Sequence, residues 1–252
     1  MSKLDRFSKS NNPMLKDEVY QQNAVLDEGM IGSESGRTMT VSGAVNKTFI
    51  LFAIMLGGAG VGFMFPSTIL MWVGILGGAA IYFIASRNPA RSPILAPLYA
   101  VVEGLLVGTV TSYYMYSFEG IVFNAVTLTM AILFMMLTLY KAGVIKVTEK
   151  FRAGVSMAVG AVMLLYLVNI VLHFIGIDMP FLHDGGLFSI GISAVIIGIA
   201  SLNLLLDFDS FDKGEAYGAP EYMEWYSAMG LLFTLVWLYL EILRLLSYLS
   251  ND

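Results

Sequence analysis

The residues of this chain that could do chemistry are few, and they stand where ionisable groups are rare. Glu103 lies in Tyr99-Ala100-Val101-Val102-Glu103-Gly104-Leu105-Leu106. Asp207 and Asp209 lie in Leu206-Asp207-Phe208-Asp209-Ser210-Phe211, and Glu241 and Arg244 in Leu240-Glu241-Ile242-Leu243-Arg244. All interrupt or end long apolar runs. An ionisable group in hydrocarbon is costly, so each is a site candidate that should face other protein groups or water rather than lipid. Carboxyls in such places exchange protons, and when ionised along a hydrated path they suit a hard, oxygen-seeking cation such as Ca²⁺. Asn203, four residues before Asp207, and Asn169 and His173, one turn apart in another run, add neutral polar groups. The only other histidine, His183, falls in a loop; two histidines and no cysteine disfavour a zinc site, and no metal site or cofactor is assigned. His173 reads as a hydrogen-bonded interfacial residue.

Spacing sorts these groups. On a helix Asp207 shares a face with Asn203 and Phe211, whereas Asp209 points roughly the opposite way. Asp209 and Asp212 read as interfacial acids beside Lys213, although Asp209 and Asn203 stay candidates for an ion path. Glu241 has two readings. It can form an i,i+3 ion pair with Arg244, or it can face Asp207 across a helix bundle. Two carboxyls within hydrogen-bond reach in a low dielectric cannot both ionise cheaply and titrate as a unit. Depth resists that pairing: Asp207 is six residues, ~9 Å, from Lys213, while Glu241 is fifteen residues, ~22 Å, from Tyr226. The two meet only if the last span starts earlier than its apolar run or the preceding one extends past Phe211. Glu103 is expected to face the bundle interior or a water-filled path, with hydrogen bonding to a neighbouring helix and ion contact both open.

The elements that must position these groups are membrane spans. Of 252 residues 57% are hydrophobic and only 13% charged, with a mean hydropathy of +0.74, about half the charge of a soluble domain. Residues 1–43 form a polar tail with no apolar core of a signal peptide. A transmembrane domain over 44–250 follows, with seven apolar runs of about the length that crosses a bilayer. They cover about 45–65, 68–86, 94–114, 119–140, 153–175, 187–208 and 226–249. The fold class is an all-α membrane protein of seven transmembrane helices.

Lysine and arginine fix the orientation. Lys3, Arg6, Lys9, Lys16, Arg37 and Lys47 precede or open the first span. Arg87 and Arg91 lie between spans two and three, Lys141, Lys146, Lys150 and Arg152 between four and five, and Lys213 between six and seven. Thirteen of the 14 cations therefore fall on one side, Arg244 being the exception, which puts the N-terminus in the cytoplasm and the C-terminus outside. The net charge of −5 argues against a nucleic-acid partner. The stretches Gly57-Gly58-Ala59-Gly60-Val61-Gly62 and Gly74-Ile75-Leu76-Gly77-Gly78 suit either a mobile, sliding pair of spans one and two or ordinary tight packing.

At three stretches the sequence resembles the Bax inhibitor-1 (transmembrane Bax-inhibitor-motif) family, in its bacterial branch. Leu238-Tyr239-Leu240-Glu241, followed by Arg244-Leu245-Leu246, is similar to the family's last-span signature. Leu206-Asp207-Phe208-Asp209-Ser210-Phe211 looks like its Asp-Thr-Gln-x-Ile, and Met39-Thr40-Val41-Ser42-Gly43-Ala44-Val45-Asn46-Lys47-Thr48 leads into span one as in a bacterial subgroup. Departures are Glu241 where Asp is usual, Asp209 where the family has Gln, and Glu103, which is not a general family feature. The resemblance implies a central last helix and a pH-sensitive calcium leak gated by a carboxyl pair, Asp207 and Glu241. It also implies an arginine latch, for which Arg91 and Arg87 are the candidates, and a bacterial plasma (inner) membrane. Ca²⁺ would be the transported ion, and no catalytic residue is implied. The competing readings are a non-catalytic scaffold that regulates other membrane proteins and an intramembrane aspartyl protease. The protease is disfavoured because no Gly-x-Gly-Asp occurs, and the absence of a lysine in the last span excludes a retinal Schiff base.

Overall fold

The computed structural model describes residues 37–176 and 185–250. Among them seven helices are long and apolar enough to cross a membrane: α1 (Val41–Met64), α2 (Thr68–Arg87), α3 (Ser92–Ser117), α4 (Ile121–Lys141), α5 (Glu149–Phe174), α6 (Leu187–Ala216) and α7 (Tyr222–Leu249). A 3-10 turn, Pro89–Arg91, leads into α3. The described residues hold no strand, and an isolated bridge pairs Thr38 with Pro220. Local chemistry sets the ends. Pro66 disfavours helix at the residue before it, and α1 stops at Met64. The Ser67 hydroxyl then accepts from the Leu70 N–H to open α2. Gly120, with φ of 72°, makes the left-handed turn before α4.

Helices six and seven are longer than their apolar runs. α6 continues to Ala216 and α7 begins at Tyr222. Polar residues carry α6 onward without leaving the helix: Lys213 pairs with Asp209 one turn back at 3.5 Å, and the Ser210 hydroxyl donates to the Asp207 carbonyl at 2.6 Å. Hydropathy marks where hydrocarbon ends, and i,i+4 pairing allows a helix to run past that point.

The chain divides into two compact units. The described residues of the first are 37–113 and 206–236, so it holds α1, α2, α3 as far as Tyr113, the end of α6 and the start of α7. Those of the second are 114–176, 185–205 and 237–250. In the first unit α3 is the helix against which the glycines of the two preceding spans pack. A Cβ on Gly58 would sit 2.7 Å from the Val101 carbonyl oxygen, one on Gly104 would run into the Met55 carbonyl, and one on Gly74 would overlap Leu106. Of the two readings of these glycines, tight packing is the one the structure displays: they seat α1 and α2 on α3. Lipid is as apolar as leucine, so close backbone packing supplies the attraction. Large side chains such as Ile69, Ile94 and Phe123 are left exposed, as acyl chains allow and water does not. Helix α7 is the most buried of the seven, with 72% of its most apolar stretch covered.

Candidate functional site

In the first unit Asp207 lies on α6 nine residues before the helix ends and is only 2% exposed. Its side-chain hydrogen-bond partner is Thr234 of α7. Its second oxygen, Oδ2, is buried and finds no hydrogen-bond partner among the described residues. A buried carboxyl with one oxygen unmatched is an expensive arrangement. The antiparallel course of α6 and α7 explains the pairing, because Thr234 is twelve residues into α7 and so close to level with Asp207. Glu241 stands a further seven residues along α7, ~10 Å by helical rise. Both conditions for a meeting of the two carboxyls, a longer α6 and an earlier α7, hold. Yet the residue of α7 that Asp207 reaches is Thr234.

Neither arginine proposed as a latch reaches Asp207. Arg91 is exposed in the 3-10 turn. Arg87 is exposed at the end of α2 and lays its guanidinium over the Phe83 ring one turn earlier, 4.1 Å from the centroid. A cation–π contact holds Arg87 on its own helix, and Arg91 sits on a surface turn.

Glu103 points into the bundle of the first unit, as expected, and is 8% exposed. Its neighbours are Tyr99, one turn earlier on α3, and Gly78 of α2, where a Cβ would lie 2.6 Å from Glu103 Oε2. The Tyr99 ring lies 6.5 Å from that of Tyr82, which in turn meets Phe233 of α7 at 5.0 Å.

In the second unit Glu241 is 2% exposed and closes a three-residue cluster. The Tyr166 hydroxyl of α5 donates to its Oε2. Arg244 Nη1 lies 3.3 Å from the same oxygen and donates to the Tyr166 oxygen at 3.2 Å. The guanidinium also sits over the Tyr166 ring, 5.3 Å from its centroid. The i,i+3 ion-pair reading of Glu241 is therefore the one the geometry displays, with a tyrosine as third member. Tyr166 was missed by the sequence reading, although a signal existed: it precedes Asn169 and His173 by three and seven residues, so the polar stripe of α5 begins one turn earlier than Asn169. Asn203 is buried, and Asp209 is paired with Lys213. The side chain of His173 and the whole of His183 lie outside the described residues. Arg152, read from sequence as a loop cation, is 2% exposed at the start of α5.

A further acid, Glu224, also escaped the sequence reading. It lies in the first turn of α7, 3% exposed, and it completes the N-cap of α1. Thr40 is that cap, its hydroxyl accepting from the Gly43 N–H at 2.9 Å. In a capping box the residue at Gly43's position would be Glu or Gln, reaching back to the cap's own N–H. Here Glu224 Oε1 takes that N–H, from Thr40 at 3.0 Å, together with the Thr40 hydroxyl at 3.1 Å. Glu215 accepts from the next N–H, Val41, at 3.2 Å. Lys47, one turn into α1, pairs with Glu224 Oε2 at 3.3 Å. Residues 37–39 are laid along the turn before α7 by two backbone bonds, Met39 N–H to the Ala219 carbonyl at 2.6 Å and Glu221 N–H to the Arg37 carbonyl at 3.0 Å. Glycine at 43 makes this possible, since any Cβ there would overlap the Glu224 carboxylate.

Seven apolar helices with carboxyls buried along them define an integral membrane protein of the polytopic all-α class. The chain matches the family model described as Bax inhibitor 1 like over residues 7–251, nearly its whole length, and belongs to that family. No curated protein compared with the chain matches it.

Proposed function

We propose that this protein is a pH-sensitive calcium leak, in which Asp207 and Glu241 are the gating carboxyls and α7 is the element they move. The observation that carries the reading is Asp207: a buried acid with one oxygen unmatched and no ion pair among the described residues. A change of charge at such a place must be answered by water, by a cation or by movement of the group facing it, and that group is Thr234 of α7. Glu241 acts on the same helix farther along, where Tyr166 and Arg244 hold it. Ca²⁺, the ion carried, takes oxygen ligands, and Asp209 and Asn203 are the candidates along its path. The resemblance of residues 39–48 to a bacterial subgroup is the basis for a bacterial inner membrane, and the cation split for an N-terminus in the cytoplasm.

The test is calcium flux into liposomes containing the purified protein, measured across an acid-to-alkaline series. Wild-type flux should vary with pH, and Asp207→Asn should remove most of that variation while leaving a folded, reconstituted protein. Flux that keeps its full pH dependence in Asp207→Asn would reject Asp207 as a gate. No calcium flux at any pH would favour the scaffold reading over the leak.

A further inference from the structure

We propose that Glu103 is a proton-binding site distinct from the gating carboxyls: an acid held in its protonated form at mid-membrane, between Tyr99 and the main chain of α2, and exchanging that proton with water. The inference does not rest on the leak. Glu103 stands eleven residues after Ser92 in α3, ~16 Å along the helix and so near the middle of a hydrocarbon core of ~30 Å. The groups that face it are few. Its own helix offers the Tyr99 hydroxyl, and beyond Tyr99 lies Tyr82 of α2. From α2 the contact is Gly78, which brings main chain rather than a side chain to Glu103 Oε2. Next to Glu103 on α3, Gly104 packs on the α1 backbone at Met55, Gly58 and Ala59. Among the described residues no ion pair holds Glu103, and the titratable side chain beside it is Tyr99, with Tyr82 beyond.

Burial without a counter-ion argues that the acid form is the resident one. A carboxylate here would stand against the uncharged α2 main chain without a counter-ion, the costliest placement a carboxyl can have. The Tyr99 hydroxyl, on a residue only 1% exposed, is the side-chain group beside the Glu103 carboxyl that can hydrogen-bond to it. Close glycine contacts seat α3 against α1 and α2 on both sides of this position.

Infrared spectroscopy of the protein in lipid tests this directly. At neutral pH the wild type should show a protonated-carboxyl C=O band that Glu103→Gln removes, that Asp207→Asn leaves in place, that Tyr99→Phe displaces, and that shifts in heavy water because the proton exchanges. A folded Glu103→Gln variant that loses no such band, or a band unmoved by heavy water, overturns the proposal. Should Glu103→Gln fail to fold, the wild type itself decides. A hydrophobic carbodiimide reacts with protonated carboxyls, and peptide mass spectrometry of the membrane-embedded protein should find it on Glu103, with less label as pH rises. Label on Glu103 only after denaturation overturns the proposal, since the acid would then be ionised or sealed from exchange.

Discussion

Gly43→Ala is a small change that should cost far more than its chemistry suggests. In an ordinary helix alanine is better than glycine by ~0.5–1 kcal/mol. At position 43 the added methyl would occupy the space of the Glu224 carboxylate, so either the carboxylate leaves or α1 shifts away from α7. A departing carboxylate gives up two hydrogen bonds from Thr40, each worth ~1.5–3 kcal/mol when the acceptor is charged. It also gives up an ion pair with Lys47 whose side chain is 21% exposed, worth at most ~0.5–1 kcal/mol. Rehydration of the freed carboxylate and the propensity gain of alanine return part of this, leaving a net loss of about 2 kcal/mol. On the scaling of ~2–4 °C per kcal/mol for soluble proteins of similar length, the melting temperature in detergent should fall by ~4–8 °C. The control is the same substitution in a Glu224→Ala background. There the methyl meets no carboxylate, and Gly43→Ala should be neutral or stabilising, a non-additivity that marks direct contact. Equal destabilisation in both backgrounds would refute the capping of α1 by α7.

Two further outcomes follow from the geometry. Arg244→Met strips the buried Glu241 of its cation and should destabilise the protein by roughly 2–3 kcal/mol, below the ~3–5 kcal/mol of a fully buried pair because the Arg244 side chain is 32% exposed. Adding Glu241→Gln should restore much of the loss, and thermal unfolding of the single and double variants checks it; a double variant as unstable as the sum of the singles would reject the pair. A reporter fused after Asp252 should read the outer side of the membrane and one inserted at 145–150 the inner side, whereas two reporters on one side would overturn the seven-span orientation.

What the sequence determined by itself was the solvent and the scaffold. Apolar runs of bilayer length recur seven times because each backbone segment in hydrocarbon must satisfy its own hydrogen bonds, and that requirement is written in local composition. The same reasoning singled out Glu103, Asp207 and Glu241, since a carboxyl in an apolar run is conspicuous without any knowledge of its neighbours. What those acids touch was decided by tertiary structure. The partner of Asp207 is Thr234 because α6 and α7 extend past their apolar runs and turn within the short stretch Tyr217-Gly218-Ala219-Pro220-Glu221, a register that hydropathy does not encode. Glu241 closes on Tyr166 and Arg244, and no periodicity within α7 could indicate the tyrosine on α5. The clearest case is the start of α1. Thr40 reads locally as an N-cap, but the carboxylate that completes the box arrives from Glu224, 184 residues away. Its only local trace is the glycine at 43 that leaves it room.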